Sequence, residues 1–263
     1  MTEELATPLE AVPSRPGLRQ LGRIALAAGA FVGFGLGGAL LSWVVLPLAS
    51  LDPDRRRRRR RCQRLVGASF RFFHAYMRGA GLLDFDPRQL REPLPGEAVV
   101  VVSNHPTLVD VTAMIAAYGE LCVVAKRSMF YNPLVGPLLR LCGHVPSGAD
   151  GLGAPSVVLA QVRERLREGH KVLMFPEGTR SPPEGLGRFR GGPFHVAIEC
   201  AVAVVPHAIT ASPRGLMKGQ AWYAIPTTSI RLRIEQLPAL SAGDFEGPRE
   251  LRRAVHERIS AAL

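Results

Sequence analysis

The sequence predicts an α/β fold: a mostly parallel sheet flanked by helices, with an amino-terminal membrane helix and an interfacial helix. Three observations carry this reading. From Val99 onward, short apolar runs of strand length alternate with longer helical patterns, which is the signature of a parallel sheet. Ile24–Leu51 is 28 residues without a charge, long enough to reach across a bilayer. Seven arginines, Arg55–Arg61, follow at once, so the apolar run ends in a basic block rather than a cleavage site.

Length and composition set the frame. A chain of 263 residues holds one domain of about 180–200 residues and an appendage. A hydrophobic content of 47% excludes general disorder. The net charge is +11, but removing the arginine block leaves about +4, so the basicity is local. Its natural partners are an anionic membrane surface or a nucleic acid. Cys62, Cys122, Cys142 and Cys200 form no Cys-x-x-Cys pair and read as buried free thiols in a reducing compartment.

The elements follow in chain order. Residues 24–46, ahead of Pro47, make a helix about 34 Å long against a bilayer core of about 30 Å. The arginines place the remainder of the chain on the cytoplasmic side, although Arg15, Arg19 and Arg23 blunt the asymmetry. The segment can also enter and leave by the same face. Gly33-x-Gly35-x-x-Gly38 imitates a dinucleotide fingerprint but lacks the preceding strand. Gly29, Gly33 and Gly37 share a helix face suited to close helix packing. The arginine block, placed directly after the apolar run, favours lipid head groups, and no specific nucleic acid is expected. Residues 63–79 form a basic amphipathic helix that either lies at the interface or packs its apolar face on the next domain. Residues 1–81 are thus a membrane anchor and 82–263 a catalytic domain, with the polar stretch 87–96 at the junction.

Within that domain, Val99–Ser103 reads as a buried strand, Thr107–Tyr118 as a helix and Leu121–Ala125 as a strand. Asn132–Cys142 is helical despite Pro133 and Pro137. Ser156 caps a helix running to Glu168, which Gly169 ends. Lys171–Phe175 is a strand, Phe194–Ala201 a helix and Val202–Ile209 a strand. Ser229–Ile234 alternates as a strand does, and Pro248–Ala262 is a charged terminal helix.

Two runs carry the chemistry: Asn104-His105-Pro106-Thr107-Leu108-Val109-Asp110 and Phe175-Pro176-Glu177-Gly178-Thr179-Arg180-Ser181. Each leaves the end of a strand. A hydroxyl is a poor nucleophile until a base takes its proton. Histidine suits that task, and a carboxylate on its other ring nitrogen fixes the tautomer and stabilises the cation. Asp110 lies about one helical turn beyond His105, with its side chain directed back toward it. Asn104 and the helix amino terminus add polarity. In the second run Arg180 can grip an anionic group in a fork, and Thr179 and backbone groups add donors. Glu177 holds Arg180 or a loop, or meets a substrate hydroxyl. With no Gly-x-Ser-x-Gly elbow, zinc helix or phosphate-cradling loop, the substrate's own hydroxyl is the nucleophile.

These residues resemble the glycerolipid acyltransferases, a family whose best-known bacterial member acylates 1-acylglycerol 3-phosphate. The resemblance runs from about Val99 to Thr210 and rests on Asn-His-x4-Asp followed by Phe-Pro-Glu-Gly-Thr-Arg-Ser. It implies that His105 is the base and Asp110 its orienter, and that Glu177, Gly178, Thr179 and Arg180 belong to the acceptor-phosphate site. Phe189-Arg190-Gly191-Gly192 is similar to the family's aromatic-basic-x-glycine segment, and Val204-Val205-Pro206 to its proline-containing block. Ala125-Lys126 matches the alanine-lysine near the acceptor. One departure stands out. Where the family carries a glycine, a short apolar strand and then an arginine, this chain has Gly143-His144-Val145-Pro146-Ser147-Gly148-Ala149. Either Arg127, Arg188 or Arg190 substitutes, or the acceptor is a lyso-aminolipid such as lyso-ornithine lipid.

The expectation is a membrane-bound O-acyltransferase. It moves an acyl chain from acyl-CoA or acyl carrier protein to a lysolipid hydroxyl, with that thioester as co-substrate and no metal or bound cofactor. Two rivals remain: an inactive anchored protein that binds lipid or nucleic acid, and a hydrolase that uses the same base on water.

Overall fold

The computed structural model describes residues 17–263 apart from 91, 149–154, 183–184, 214, 216–219 and 222. The chain begins with one continuous helix, α1, Leu18–Ala49. It is longer than the expected 24–46 and does not stop at Pro47. Leu41–Val45 widen into a π turn, with the Leu46 amide bonded to the Leu41 carbonyl; that wider turn lets the helix pass a proline ring that would otherwise clash with it. The second helix, α2, is Arg55–Gly79 and absorbs the whole arginine block. Asp54 caps it, accepting hydrogen bonds from the amides of Arg56 and Arg57.

The sheet has seven strands: β1 Leu83–Asp84, β2 Val100–Ser103, β3 Cys122–Ala125, β4 Val145–Pro146, β5 Val172–Met174, β6 Val204–Ser212 and β7 Ile230–Gln236. Their order is β1-β7-β6-β2-β5-β3-β4. Every pairing is parallel except β6 with β7. The remaining α-helices are α3 Asp110–Tyr118, α4 Gly136–Leu141, α5 Pro155–Arg167, α6 Gly192–Glu199 and α7 Pro248–Ala261. Three helix boundaries move inward or outward for local reasons. The chain from Thr107 to Val109 is a turn, because the Asp110 carboxylate binds the Thr107 amide and hydroxyl and holds that stretch out of the helix. Asn132 Oδ1 accepts the Leu134 amide and sets Asn132–Val135 outside α4. Pro155 opens α5, so Ser156 lies inside the helix rather than capping it.

Successive side chains on a strand point to opposite faces, and the two faces have separate cores. Val101, Leu173 and Val205 pack with α1, α2 and α3. Val100, Val102, Val172 and Val204 pack with α5, α6 and α7. On the first face α2 meets the end of α3 backbone to backbone: a Cβ on Gly67 would lie 2.8 Å from the Cα of Gly119. The helix over 63–79 therefore packs its apolar face on the sheet domain, the second of its two expected placements. The arginine block shares that fate. Arg59 pairs with Glu168, Arg56 and Arg60 with Glu97, and Arg60 also bonds the Gly169 carbonyl at 2.9 Å, while Arg57, Arg61 and Arg64 stay exposed.

Helix α1 is tied to the domain at both ends. Gln20 bonds the Ile225 carbonyl at 2.9 Å, and Arg23 bonds the carbonyls of Gly81, Pro226 and Thr228. About 34 Å farther along, by the helical rise, Ser42 bonds the Leu134 carbonyl and Trp43 the Pro133 carbonyl. Gly38 packs against Val135 and Gly29 against the Tyr76 hydroxyl, whereas Gly33 and Gly37 face open space; the expected glycine face is used only at Gly29. Only 17% of the helix's most apolar window is buried.

Candidate active site

The carboxyl ends of β2, β5 and β3 lie side by side, and three of the predicted site segments leave the sheet there. This is the edge where open α/β sheets bind ligands. His105 follows β2, Glu177–Ser181 follow β5, and Lys126 follows β3.

His105 and Asp110 meet as the spacing predicts. The histidine Nδ1 lies 2.8 Å from Asp110 Oδ2, with the histidine side chain 19% exposed and the aspartate fully buried. Asp110 is the first residue of α3, where a carboxylate is favoured by the helix dipole. Its Oδ2 also accepts the Thr107 amide at 2.7 Å, and its Oδ1 accepts the Thr107 hydroxyl. With the Thr107 amide and hydroxyl already donating to it, the Asp110 carboxylate accepts from the proton-bearing Nδ1 of the imidazole. The lone pair is then on Nε2, which has no protein partner among the described residues. The ring stacks on Phe175, centroids 4.3 Å apart, so its plane is set from both sides. A base held in one tautomer, with its free nitrogen at a partly exposed edge, is the arrangement that proton abstraction needs.

Glu177 resolves to the loop-holding alternative. It is buried. Its Oε1 accepts the Ser181 hydroxyl at 2.6 Å and the His105 amide at 3.2 Å, and its Oε2 accepts the Gly187 amide at 2.9 Å. Both oxygens are thus bonded to the backbone and side chains that shape the loop. Ser181 completes the join: its hydroxyl accepts the His105 amide at 2.9 Å, and its own amide donates to the His105 carbonyl at 2.7 Å. The two motifs are thus stitched together at the backbone of the base.

Asn104 is corrected in the same way. Its amide donates to the Ile209 carbonyl at 2.8 Å, its oxygen accepts the Ile209 amide at 2.7 Å, and it is buried. It clamps the end of β2 to β6 and directs no polar atom at a substrate. Gly178 and Arg190 form a unit. Gly178 has φ +70, and a Cβ there would lie 2.8 Å from the Arg190 guanidinium carbon, so the arginine lies over the glycine backbone. Thr179, Lys126 and Arg190 are exposed and Arg180 is half-buried. His144 is structural: buried, it accepts the Val123 amide on Nδ1 at 3.0 Å, and burial pushes its pKa down to about 4. Ala149, where the family's arginine is missing, lies outside the described residues. Sequence reasoning gave no role to Thr107, Phe175 or Ser181, although all three stand inside the two runs; a hydroxyl flanking a base-orienter pair is the signal that would have marked Thr107 and Ser181.

Residues 87–210 match the family model described as Acyltransferase. The chain is 34% identical over 140 residues to 1-acyl-sn-glycerol-3-phosphate acyltransferase beta of Homo sapiens, covering 52% of this chain and 48% of that protein. It is 29% identical over 164 residues to 1-acyl-sn-glycerol-3-phosphate acyltransferase of Pseudomonas aeruginosa, covering 61% and 60%. The match thus spans about half the length of the human relative. In three dimensions the chain is similar to PlsC, the 1-acyl-sn-glycerophosphate (LPA) acyltransferase of Thermotoga maritima. The TM-score is 0.71 at 20% identity, over 93% of this chain and 96% of that one; at that identity the likeness establishes the fold.

Proposed function

We propose that this chain, whose residues 87–210 carry an acyltransferase domain, transfers an acyl chain from a thioester to the free hydroxyl of a lysolipid. The acceptor we favour is 1-acylglycerol 3-phosphate, giving phosphatidic acid, in keeping with the names of the relatives. The observation that carries the reading is the His105–Asp110 pair, with Nε2 unpartnered at the strand edge. His105 Nε2 takes the proton of the acceptor hydroxyl, and the oxygen attacks the thioester carbonyl. The carbon–sulfur bond then breaks, and the leaving thiolate recovers the proton from the imidazolium. Asp110 stabilises that imidazolium through its bond to Nδ1. Lys126, Thr179, Arg180 and Arg190 surround the acceptor's anionic group, with Gly178 giving Arg190 room and Glu177 and Asn104 shaping the loops. The donor is acyl-CoA or acyl carrier protein as co-substrate, and the route draws on side chains alone. The departure at Gly143–Ala149 keeps a lyso-aminolipid acceptor as the second reading.

The membrane placement belongs to the same proposal. Val32, Leu36, Leu40, Trp43 and Leu48 are exposed on α1, yet both ends of α1 bond the one catalytic body. A helix crossing the bilayer could not return to the same body at its far end. So α1 lies along the domain with its apolar side sunk in the near leaflet, and the exposed arginines of α2 meet anionic head groups on the cytoplasmic side. The test gives purified protein a labelled acyl donor and a panel of lysolipids. Acceptor-dependent acyl transfer that vanishes in His105→Ala is the expected result. Release of free fatty acid without acceptor would instead make the chain a hydrolase.

A further inference from the structure

The start of α3 matters to the site because Asp110 is its first residue. Its N-cap, Val109, offers no side-chain cap. The third residue, Thr112, adds a side-chain bond to the backbone one from Ala113: its hydroxyl donates to the Val109 carbonyl at 2.8 Å. That spends the hydroxyl's single proton and leaves its lone pairs. They face His74 of α2, whose Nε2 lies 3.0 Å away. Since the Thr112 hydroxyl proton is committed, His74 is the donor through Nε2–H, and its Nδ1 keeps the lone pair. That Nδ1 is buried and has no hydrogen-bond partner. A buried acceptor left unpaired is unfavourable, and a leucine or phenylalanine would fill the place without that penalty. Among the described residues, the one polar contact that repays an imidazole here is the one to Thr112.

The surroundings fix the ring. Phe73 and Phe85 meet it edge-on, with centroids 5.5 and 5.0 Å away, and burial pushes its pKa down to about 4, so it is neutral at physiological pH. Phe73 in turn packs edge-on against Phe34 of α1, which also stacks on Phe70. A contiguous path therefore runs from the apolar helix through Phe34, Phe73, His74 and Thr112 to the turn that carries Asp110.

We infer that His74 is a positioning residue for the His105–Asp110 pair, acting through Thr112, so that the docked α1–α2 pair holds the catalytic carboxylate in place as well as binding the membrane. This rests on the acyl-transfer reading for its kinetic effect, but not for its geometry. His105 meets Asp110 on Nδ1, while Glu177 reaches only its backbone amide. Loosening α3 should therefore free the ring to change tautomer.

The experiment uses the full chain in detergent micelles and compares His74→Leu, His74→Gln, Thr112→Val and Thr112→Ser. Glutamine can place an amide N–H where Nε2–H stands, and serine keeps the hydroxyl, so these two should keep most of the activity. His74→Leu and Thr112→Val should lower kcat about 10- to 100-fold, the scale of a small misplacement of a catalytic group. KM for acyl-CoA and for lysophosphatidic acid should change less than about 2-fold. In parallel, nitrogen-15 spectra of His105 should show one tautomer in wild type and a mixture in Thr112→Val. Thr112→Val is nearly isosteric and carries the test if His74→Leu fails to fold. Wild-type kcat together with a single His105 tautomer in Thr112→Val would overturn the inference, as would equal losses in His74→Gln and His74→Leu. A wild type that transfers no acyl chain would sink the acyl-transfer reading instead, and the tautomer measurement would still decide the role of His74.

Discussion

Two loops at the same sheet edge each carry one buried carboxylate, and the two carboxylates do different work. Asp110 meets the ring nitrogen of His105 and the donors of Thr107. Glu177 meets the backbone of His105, the hydroxyl of Ser181 and the amide of Gly187. The first is tied to a ring that changes charge in the proposed mechanism. The second is tied only to groups that never do. A carboxylate beside a titrating ring acts on the barrier, and one among fixed donors acts on the loop that presents the ring. The comparison therefore predicts separable losses, of rate in one loop and of stability in the other.

The largest effect lies in the first loop. His105→Ala should cut turnover by about 100- to 10,000-fold, the range for loss of a general base, with the melting temperature nearly unchanged. Asp110→Asn should follow at about 100-fold, because an amide beside Nδ1 can reverse the tautomer. Steady-state rates on folded protein check both, and a near-normal rate in His105→Ala would end the mechanism. Next comes Arg180→Ala. Losing a charge-assisted fork costs about 1.5–3 kcal/mol, so KM for a phosphate acceptor should rise roughly 10- to 150-fold while donor KM changes little. An acceptor KM that does not move would remove Arg180 from that role. If wild type prefers a lyso-aminolipid, Ala149→Arg should shift preference toward phosphate.

The second loop should answer differently. In Glu177→Gln an amide nitrogen must face either the Gly187 amide or the His105 amide, donor against donor. That penalty is about 1–3 kcal/mol, or a melting temperature lower by about 3–8 °C. Activity per folded molecule should fall less than in Asp110→Asn. Calorimetry and rate measured on one preparation separate the two; a large rate loss at unchanged melting temperature would mean that Glu177 meets substrate after all.

The contrast also explains what the sequence disclosed. The base and its orienter are five positions apart on one turn, and such local geometry can be read from spacing. Parallel strand order follows from alternation, because short strands joined by helices have few other solutions. Glu177 was ambiguous because its partners, Gly187 and the backbone of His105, are set by tertiary contact alone. The arginine block looked like one device, but the helical period divides it: Arg59 turns inward to Glu168, while Arg56 and Arg60 pair at the surface with Glu97, both glutamates coming from distant segments. Pro47 suggested a helix end, since nothing in the local sequence announces the π turn that accommodates it.

The smallest effect at neutral pH concerns the histidines that are not His105. His74, His144, His170 and His207 are buried, and desolvation pushes each pKa down to about 4, against about 6.5 in an unfolded chain. His74 holds the start of α3. His207 holds its end, where its Nε2 meets the hydroxyl of Tyr118. Between pH 6.5 and about 4 the unfolded chain binds protons at these rings that the folded chain refuses. Stability from the four is therefore fully present above pH 6.5 and is lost as pH falls toward 4. The melting temperature should be flat from pH 8 to 7 and should drop steadily from 6.5 downward. His207→Gln should flatten part of that slope, since glutamine can bond Tyr118 and does not titrate, while removing the imidazole of the partly exposed His105 with His105→Ala should leave the slope from these rings in place. A slope unchanged in His207→Gln would show that acid acts elsewhere, and the case for α3 as a helix pinned at both ends by neutral imidazoles would rest on the His74 variants alone.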